Sequence, residues 1–217
     1  MAQQPVITWV DGFGGAGEDF GWAVAVDDRT NVWSAGHFEA PAFFGSTNLL
    51  RSVAQDAFVA RYNRAGTLLW VRQGGGAVND DARGIAVDGR GNAYVTGGFG
   101  EVATFSQFTM KSAGQGDVFV AKYDPDGQLL WVRQAGGSEA DLGRGIALDS
   151  AANVYVTGYF SGAASFEGTR LVSGGSSDVF LAKYDADGNL LWARSAGGTN
   201  SDEGVSIAVD RAASFLK

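Results

Sequence analysis

Four aspartates recur at intervals of 61 residues and are the strongest candidates for chemistry in this sequence: Asp19, Asp80, Asp141 and Asp202. Each precedes a short apolar run, so each is expected in a loop that leads into a strand. If these strands surround an axis, the carboxylates form a ring near one mouth of a central channel. Such an oxygen-rich ring would suit calcium. Hydrogen bonds from loop amides would explain the repetition equally well.

Basic and aromatic residues provide a second group of candidates. Arg83 and Arg144 follow two of the aspartates by three residues and could pair with them, which weakens the metal interpretation. His37, the single histidine, occupies the position that is Tyr159 two repeats later. Positions that vary within a repeated framework are suited to a specific ligand site. We therefore treat all four side chains as candidate ligand-binding residues, with surface exposure or packing as the alternative for the histidine.

Composition narrows the classes of function. The chain has a net charge of −8, and an acidic surface repels phosphate backbones, so we expect no nucleic-acid partner. It contains no cysteine and one histidine, which excludes thiolate metal sites and gives little support to a nucleophilic triad. No apolar run approaches the roughly 20 residues that cross a bilayer, so no membrane association is expected. The first ten residues lack the features of a signal peptide.

The chain repeats one long sequence with a fixed period. DAFVARYNRAGTLLWVRQGGG, DVFVAKYDPDGQLLWVRQAGG and DVFLAKYDADGNLLWARSAGG begin 61 residues apart. One unit contains four strand-like runs, which we name A to D after their order: 144–149, 153–160, 178–185 and 189–197. Their alternation, β-branched content and turn residues favour strands over helices. Four antiparallel strands at a fixed period predict a blade of a β-propeller.

The fold class predicted from this pattern is all-β, with residues 1–217 forming one propeller domain. The predicted elements are a lone D strand at 6–11, full blades at about 20–73, 83–134 and 144–195, and a lone A strand at 206–210. Extra residues between strands B and C predict a loop or small hairpin, anchored in the last blade by Phe166 and Leu171. These insertions are expected to crowd one rim.

Three blades cannot close a ring, because propellers usually need four to eight. The two terminal blades would each leave an apolar face in water, which monomers rarely tolerate. We therefore predict a homodimer in which a second copy closes the ring. The lone A strand of one chain would then lie near the lone D strand of its partner.

The order of motifs resembles the bacterial seven-bladed β-propeller repeat family, the SBBP repeats. The shared pattern is D-V-F-V-A-K-Y-D-x-x-G-x-L-x-W, then G-G, then G-I-A-x-D, then N-x-Y-V-T-G. This resemblance implies a propeller found mostly in exported bacterial proteins, and hence a secreted or periplasmic origin. It implies no defined reaction, because the family has no common activity.

Two functions remain open at the level of sequence. The first is a binding scaffold that presents its rim of B–C loops to a protein, a glycan or a small ligand. The alternative is a calcium-dependent hydrolase similar to the propeller lactonases and phosphotriesterases, with carboxylates at the channel mouth. Only analogy at the level of the fold supports the enzyme.

Overall fold

The computed structural model describes residues 9–49 and 53–210, and within these ranges the regular secondary structure consists of β-strands. No helix in the described part could cross a membrane. In chain order the strands are β1 (Phe13–Gly15), β2 (Phe20–Val26), β3 (Val32–Glu39), β4 (Ala42–Phe44), β5 (Thr47–Leu49), β6 (Gln55–Tyr62), β7 (Leu68–Gly76), β8 (Asp81–Val87), β9 (Ala93–Phe99), β10 (Val102–Phe105), β11 (Phe108–Lys111), β12 (Asp117–Tyr123), β13 (Leu129–Gly137), β14 (Leu142–Leu148), β15 (Val154–Phe160), β16 (Ala163–Phe166), β17 (Thr169–Val172), β18 (Asp178–Tyr184) and β19 (Leu190–Ala196).

One four-stranded antiparallel meander occurs three times. The first unit is β2–β3–β6–β7, the second is β8–β9–β12–β13 and the third is β14–β15–β18–β19, in the order A, B, C, D. The turns follow from local chemistry. In the first A–B turn Asp27 Oδ1 accepts hydrogen bonds from the amides of Arg29 and Asn31. In the second C–D turn Gly127 adopts a φ of 78°, which favours glycine. The prediction of an all-β fold with propeller-type repeats is confirmed.

The B–C insertions form hairpins that pair with the last strand of the preceding unit. Strand β10 pairs with β7, and β16 pairs with β13. The first two units are therefore each extended to a six-stranded sheet by the insertion hairpin of the next unit. Near the N-terminus, β4 pairs in the same way with the short strand β1. The predicted anchors are both buried, with Phe166 on β16 and Leu171 on β17. The hairpins are thus bound to the neighbouring unit rather than standing free at a rim.

The hydrophobic core lies between neighbouring units. Ile85 of the second A strand clusters with Trp33 and Val59 of the first unit. Ile146, its equivalent in the third unit, clusters with Val118 and Val120 of the second. Each A strand therefore presents apolar side chains to the unit before it. Burial of these A-strand side chains therefore depends on a preceding unit.

The first described residues take the place of a preceding D strand. Trp9 lies over Gly66, where an added Cβ would be 2.6 Å from its ring, and Trp70 lies over Gly127 in the same way. Strand β1 corresponds, at the 61-residue period, to the last three residues of β7. The D strand predicted at 6–11 is therefore shifted: residues 6–8 fall outside the described ranges, and 9–11 carry no strand.

The last described residues follow the path of an A strand without forming one. Gly204 donates its amide hydrogen to Gly158 O at 3.1 Å. An added Cβ at Gly204 would meet Thr157 Oγ1 at 2.1 Å, as one at Gly143 would meet Thr96 Oγ1 at 2.1 Å. No strand is assigned at 206–210, so that prediction is wrong. The A strands of the three units each pair with a B strand, whereas no strand of the described residues pairs with 206–210.

Candidate functional site

The repeated aspartates of the D–A loops accept hydrogen bonds from main-chain amides. Asp80 and Asp141 are almost completely buried, at 0% and 3% exposure. Their Oδ2 atoms accept from Gly76 and Gly137 at 2.8 and 2.7 Å. Their Oδ1 atoms accept from the first residues after strand B, both at 3.1 Å. The two outer members, Asp19 and Asp202, are half-buried and accept equivalent bonds at 2.7 and 2.8 Å.

A second aspartate series faces the first across a glycine. Asp56 is the second residue of the first C strand, β6. Its Oδ1 lies 2.4 Å from the position that a Cβ on Gly75 would occupy, and Asp80 Oδ2 lies 2.8 Å from the same point. Asp117 Oδ1 and Asp141 Oδ2 lie at 2.7 and 2.9 Å from the equivalent point on the next D strand. The sequence contains the signal, because this series also has a period of 61 residues. Sequence analysis did not treat it as part of a site.

Burial dominates the electrostatics of these carboxylate pairs. Desolvation raises the pKa of Asp80 and Asp141 to about 7, and loop amides oppose the shift. Desolvation also raises the pKa of Asp56 to about 6 and raises that of Asp117. The Oδ1 atoms of both C-strand aspartates are buried without a hydrogen-bond partner. Two close buried carboxylates disfavour double ionisation, so each pair can retain a proton near neutral pH.

The described residues contain no group of three or more His, Cys, Asp or Glu side chains arranged to hold a metal ion. Each aspartate pair offers two carboxylates to a cation. Calcium usually takes six to eight oxygen ligands. A calcium site at these aspartates therefore stays a hypothesis for metal titration.

The two arginines pair with carboxylates other than the predicted ones. Arg83 Nη2 lies 2.9 Å from Asp81 Oδ2, and Arg144 Nη2 lies 3.0 Å from Glu203 Oε2. The expected pairs with the D–A loop aspartates are absent from the ion pairs of the described residues. The A strand is irregular at Arg83, between Ala82 and Gly84, and the arginine side chain is 23% exposed. The aspartate carboxylates instead turn inward to the loop amides.

His37 links the first unit to the second. It is only 4% exposed, and its Nδ1 lies 2.7 Å from Asp81 Oδ1 and 3.1 Å from Trp22 Nε1. The guanidinium of Arg83 stacks over the Trp22 ring at 3.9 Å. The histidine side chain is therefore packed inside the protein, which is one of the alternatives that the sequence left open. The structure brings two of the four ligand candidates into one cluster.

Tyr159 and Arg144 form the corresponding cluster in the third unit. The guanidinium carbon lies 5.6 Å from the centre of the tyrosine ring. Burial raises the pKa of Tyr159, and the positive charge of Arg144 opposes the shift. The tyrosine is half-buried, as is expected where a side chain lies at the edge of a junction. No described contact connects this cluster directly with His37.

The A–B turns surround a cavity of about 620 Å³ that sequence analysis missed. Asp27, Asp88 and Asp149 line it, together with Arg90 and Lys122. The aspartates accept hydrogen bonds within their own turns. For Asp27, burial raises the pKa, but the hydrogen bonds that it accepts, first among them the one from the Asn31 side chain, lower the pKa overall. Such a cavity suits a polar ligand. The three aspartates share the 61-residue period, but turn aspartates are too common to indicate a site.

Comparisons with known proteins agree with this architecture. The SBBP family model, described as a β-propeller repeat, matches residues 69–97 and 130–159. An uncharacterized WD repeat-containing protein of Acanthamoeba polyphaga mimivirus is 30% identical over 188 residues, covering 71% of this chain and 14% of that protein. The regulatory protein FlaEY of Caulobacter vibrioides is 33% identical over 99 residues, covering 44% of this chain and 10% of that protein. The chain therefore spans a small part of the length of these relatives.

Proposed function

The chain carries repeats of the SBBP β-propeller family, and from this premise we propose that it is a binding scaffold whose three blades are completed by a second copy. The blades in this proposal are the three four-stranded units. One observation carries the proposal: apolar residues that are buried in the interior of the array are more exposed at the equivalent positions of its two ends. A propeller-type repeat with a WD repeat-containing relative fits a protein-interaction role.

The first unit presents an apolar face to solvent. Phe20, Trp22, Val24 and Val26 on β2 are 46%, 42%, 67% and 61% exposed. Ile85, the repeat equivalent of Val24, is only 8% exposed because the first unit covers it. Large contiguous apolar patches on soluble proteins commonly mark interaction surfaces. The exposed face on β2 is therefore a docking surface for another blade.

The third unit presents the complementary face. Val179 and Leu181 on β18 are half-buried, whereas their equivalents Val118 and Val120 are each 1% exposed. Interior junctions pack this kind of face against an A strand of the next unit. Residues 203–210 of the same chain already lie along the A-strand path on this face without forming a strand, so a second copy would pack its β2 against them and the exposed remainder of the third unit. A two-fold arrangement would use both terminal faces.

The ligand-binding surface of the scaffold is the rim formed by the tips of the insertion hairpins. The turns at 45–46, 106–107 and 167–168 are exposed, while the hairpins beneath them are fixed to the preceding unit. Fixed hairpins with exposed tips offer a preorganised surface to a protein, a glycan or a small ligand. The calcium-dependent hydrolase stays the alternative. Calcium that copurifies through dialysis, with ester hydrolysis lost on chelation, would favour it over a scaffold.

Substitution of the exposed first face tests the docking proposal. We expect the wild-type protein to have the mass of a dimer in light scattering at micromolar concentration. Val24→Asp should give a monomer, because it places a charge where apolar contact is required. Val172→Asp is the matched control, since Val172 is a similarly exposed valine on a hairpin. A monodisperse wild-type monomer, or a dimer that Val24→Asp leaves intact, would refute the proposal.

A further inference from the structure

Each interior junction holds the C–D turn of the next unit through donors on the D strand of the unit before it. At the first junction, Trp70 Nε1 donates to Pro125 O at 2.9 Å. Arg72 donates to the same turn, from Nε to Gly127 O at 2.8 Å and from Nη2 to Asp126 O at 3.1 Å. One tryptophan and one arginine therefore bind three successive main-chain carbonyl groups.

The second junction repeats this contact with the residues that lie 61 positions later in the sequence. Trp131 Nε1 donates to Ala186 O at 3.2 Å. Arg133 donates from Nε to Gly188 O at 2.8 Å and from Nη2 to Asp187 O at 3.1 Å. We call such a tryptophan–arginine pair a turn socket. Because it binds main-chain atoms, it recognises the shape of a turn more than the side chains of the turn.

The third unit carries the same socket in Trp192 and Arg194. Arg194 Nη1 donates to Ala193 O at 2.9 Å, and the arginines of both interior sockets likewise donate to the residue before them. The ring of Tyr155 lies edge-on to Trp192 with the centroids 6.2 Å apart, and the tyrosine–tryptophan pair of the second unit is edge-on at 6.1 Å. Both side chains of the third socket are therefore held as in the interior sockets.

The donors that would bind a turn are unused in the third socket. Within the described part of the chain, Trp192 Nε1 and the Nε and Nη2 atoms of Arg194 have no hydrogen-bond partner. Residues 203–210 follow the A-strand path beside this unit and leave Arg194 exposed, whereas the arginines of the interior sockets are half-buried. Donors that are already oriented lose little conformational entropy when a partner binds.

The interior sockets also show which turn fits. An added Cβ on Gly127 would lie 2.8 Å from the ring of Trp70, and one on Gly188 would lie 2.9 Å from the ring of Trp131. The socket therefore requires glycine as the fourth residue of the turn. Both bound turns also contain two aspartates, whose charge complements the free guanidinium of Arg194.

A second copy of this chain has no free turn of this kind. Trp9 lies over Gly66 in the first C–D turn, with its ring 2.6 Å from an added Cβ, and the interior sockets cover the other two turns. We infer that Trp192 and Arg194 bind a β-hairpin of another protein, whose four-residue turn ends in glycine. The inference rests on the scaffold proposed above and specifies the class of its protein partner. It does not depend on the dimer.

A cyclic hairpin peptide tests the third socket. The probe contains residues 182–191 of this chain, closed at its other end by a D-Pro-Gly turn. It should bind saturably and shift the indole N–H signal of Trp192 in the spectrum of the ¹⁵N-labelled protein. Arg194→Leu should raise the dissociation constant at least about tenfold, because two hydrogen bonds from a charged group are lost. Arg170→Leu, at an exposed arginine on β17, is the matched control and should leave binding unchanged.

A second peptide tests the requirement for glycine. The same peptide with Gly188→Val should not bind, because the valine would collide with the ring of Trp192. The inference is refuted if the first peptide does not bind saturably at concentrations up to about 1 mM, if it leaves the Trp192 signal unchanged, or if Arg194→Leu binds it equally well. Light scattering separates this result from the dimer. A dimer that does not bind the peptide refutes only hairpin recognition, and a monomer that binds it refutes only the dimer.

Discussion

The interior junctions and the terminal faces of this array use similar side chains but differ in burial. Val24, Ile85 and Ile146 occupy one repeat position, with exposures of 67%, 8% and 9%. The residue type is nearly constant, and only the presence of a preceding unit changes. Burial in such an array is therefore supplied by nearest neighbours, as in other repeat proteins. The first unit carries the same apolar surface, but no preceding unit buries it.

The tryptophan of the D strands should show the largest effect of this difference. Trp131 is buried over the C–D turn of the third unit, and its Nε1 donates to Ala186 O at 3.2 Å. Trp192 is its equivalent on the last D strand and is half-buried. Trp131→Ala should cost about 3–5 kcal/mol of unfolding free energy, as expected for a core aromatic. Trp192→Ala should cost clearly less.

Chemical denaturation of both variants measures the difference. The two substitutions remove the same side chain from the same repeat position, so each serves as the control for the other. A loss below roughly 1 kcal/mol for Trp131→Ala would mean that its contacts do not support the junction. Equal losses for the two variants would contradict the distinction between interior and terminal units.

A smaller effect is expected from the interior carboxylate pairs. Burial raises the pKa of Asp141 from 3.8 to about 7, with the Asp117 carboxylate contributing. The folded protein then binds more protons than the unfolded chain between these values, so its stability falls as pH rises from about 4 to about 7. Asp117→Asn removes one charge and can place its NH2 group at the Oδ1 position, which has no hydrogen-bond partner, while its oxygen keeps the bonds that Oδ2 accepts from Ala113 and Gln134. It should raise the melting temperature at pH 8 by a few degrees and flatten its pH dependence.

Asp126→Asn is the control for this prediction, because it makes the same change of charge in an exposed turn. Thermal melts of the three proteins between pH 5 and pH 8 provide the comparison. The control should retain the wild-type slope. If Asp117→Asn also retains that slope, the pair does not share a proton. If calcium instead raises the wild-type melting temperature at pH 8 in a saturable way, so that its pH dependence disappears, the cation hypothesis gains support.

The repeat made most of the fold predictable. Period, alternation and turn residues locate the strands A to D, and Phe166 and Leu171 anchor a hairpin as expected. Sequence could not show where that hairpin docks, because the pairing of β16 with β13 depends on geometry between units. It also could not show that 206–210 forms no strand. Strand formation requires a partner, and local sequence reports only the propensity.

The site was predicted less well, for reasons visible in single residues. The D–A loop aspartates were found by their period, but their partners were not. Arg83 lies three residues after Asp80, yet its side chain binds Asp81 because the strand is irregular at that point. The pair of Asp56 with Asp80 joins residues 24 positions apart across two connections, so spacing alone could not indicate it. For His37 the sequence left a ligand site, surface exposure and packing open, and contact with Asp81 of the next unit buries it.

Hydrogen exchange at two protein concentrations tests the central claim most directly. Strand β2 lies at the exposed first face, and β8 is its equivalent at an interior junction. If a second copy completes the array, amides of β2 should exchange more slowly at the concentration that favours association. Amides of β8 should exchange at the same rate at both concentrations, because its neighbour belongs to the same chain. Exchange in β2 that is independent of concentration, in a protein that stays folded, would contradict the account.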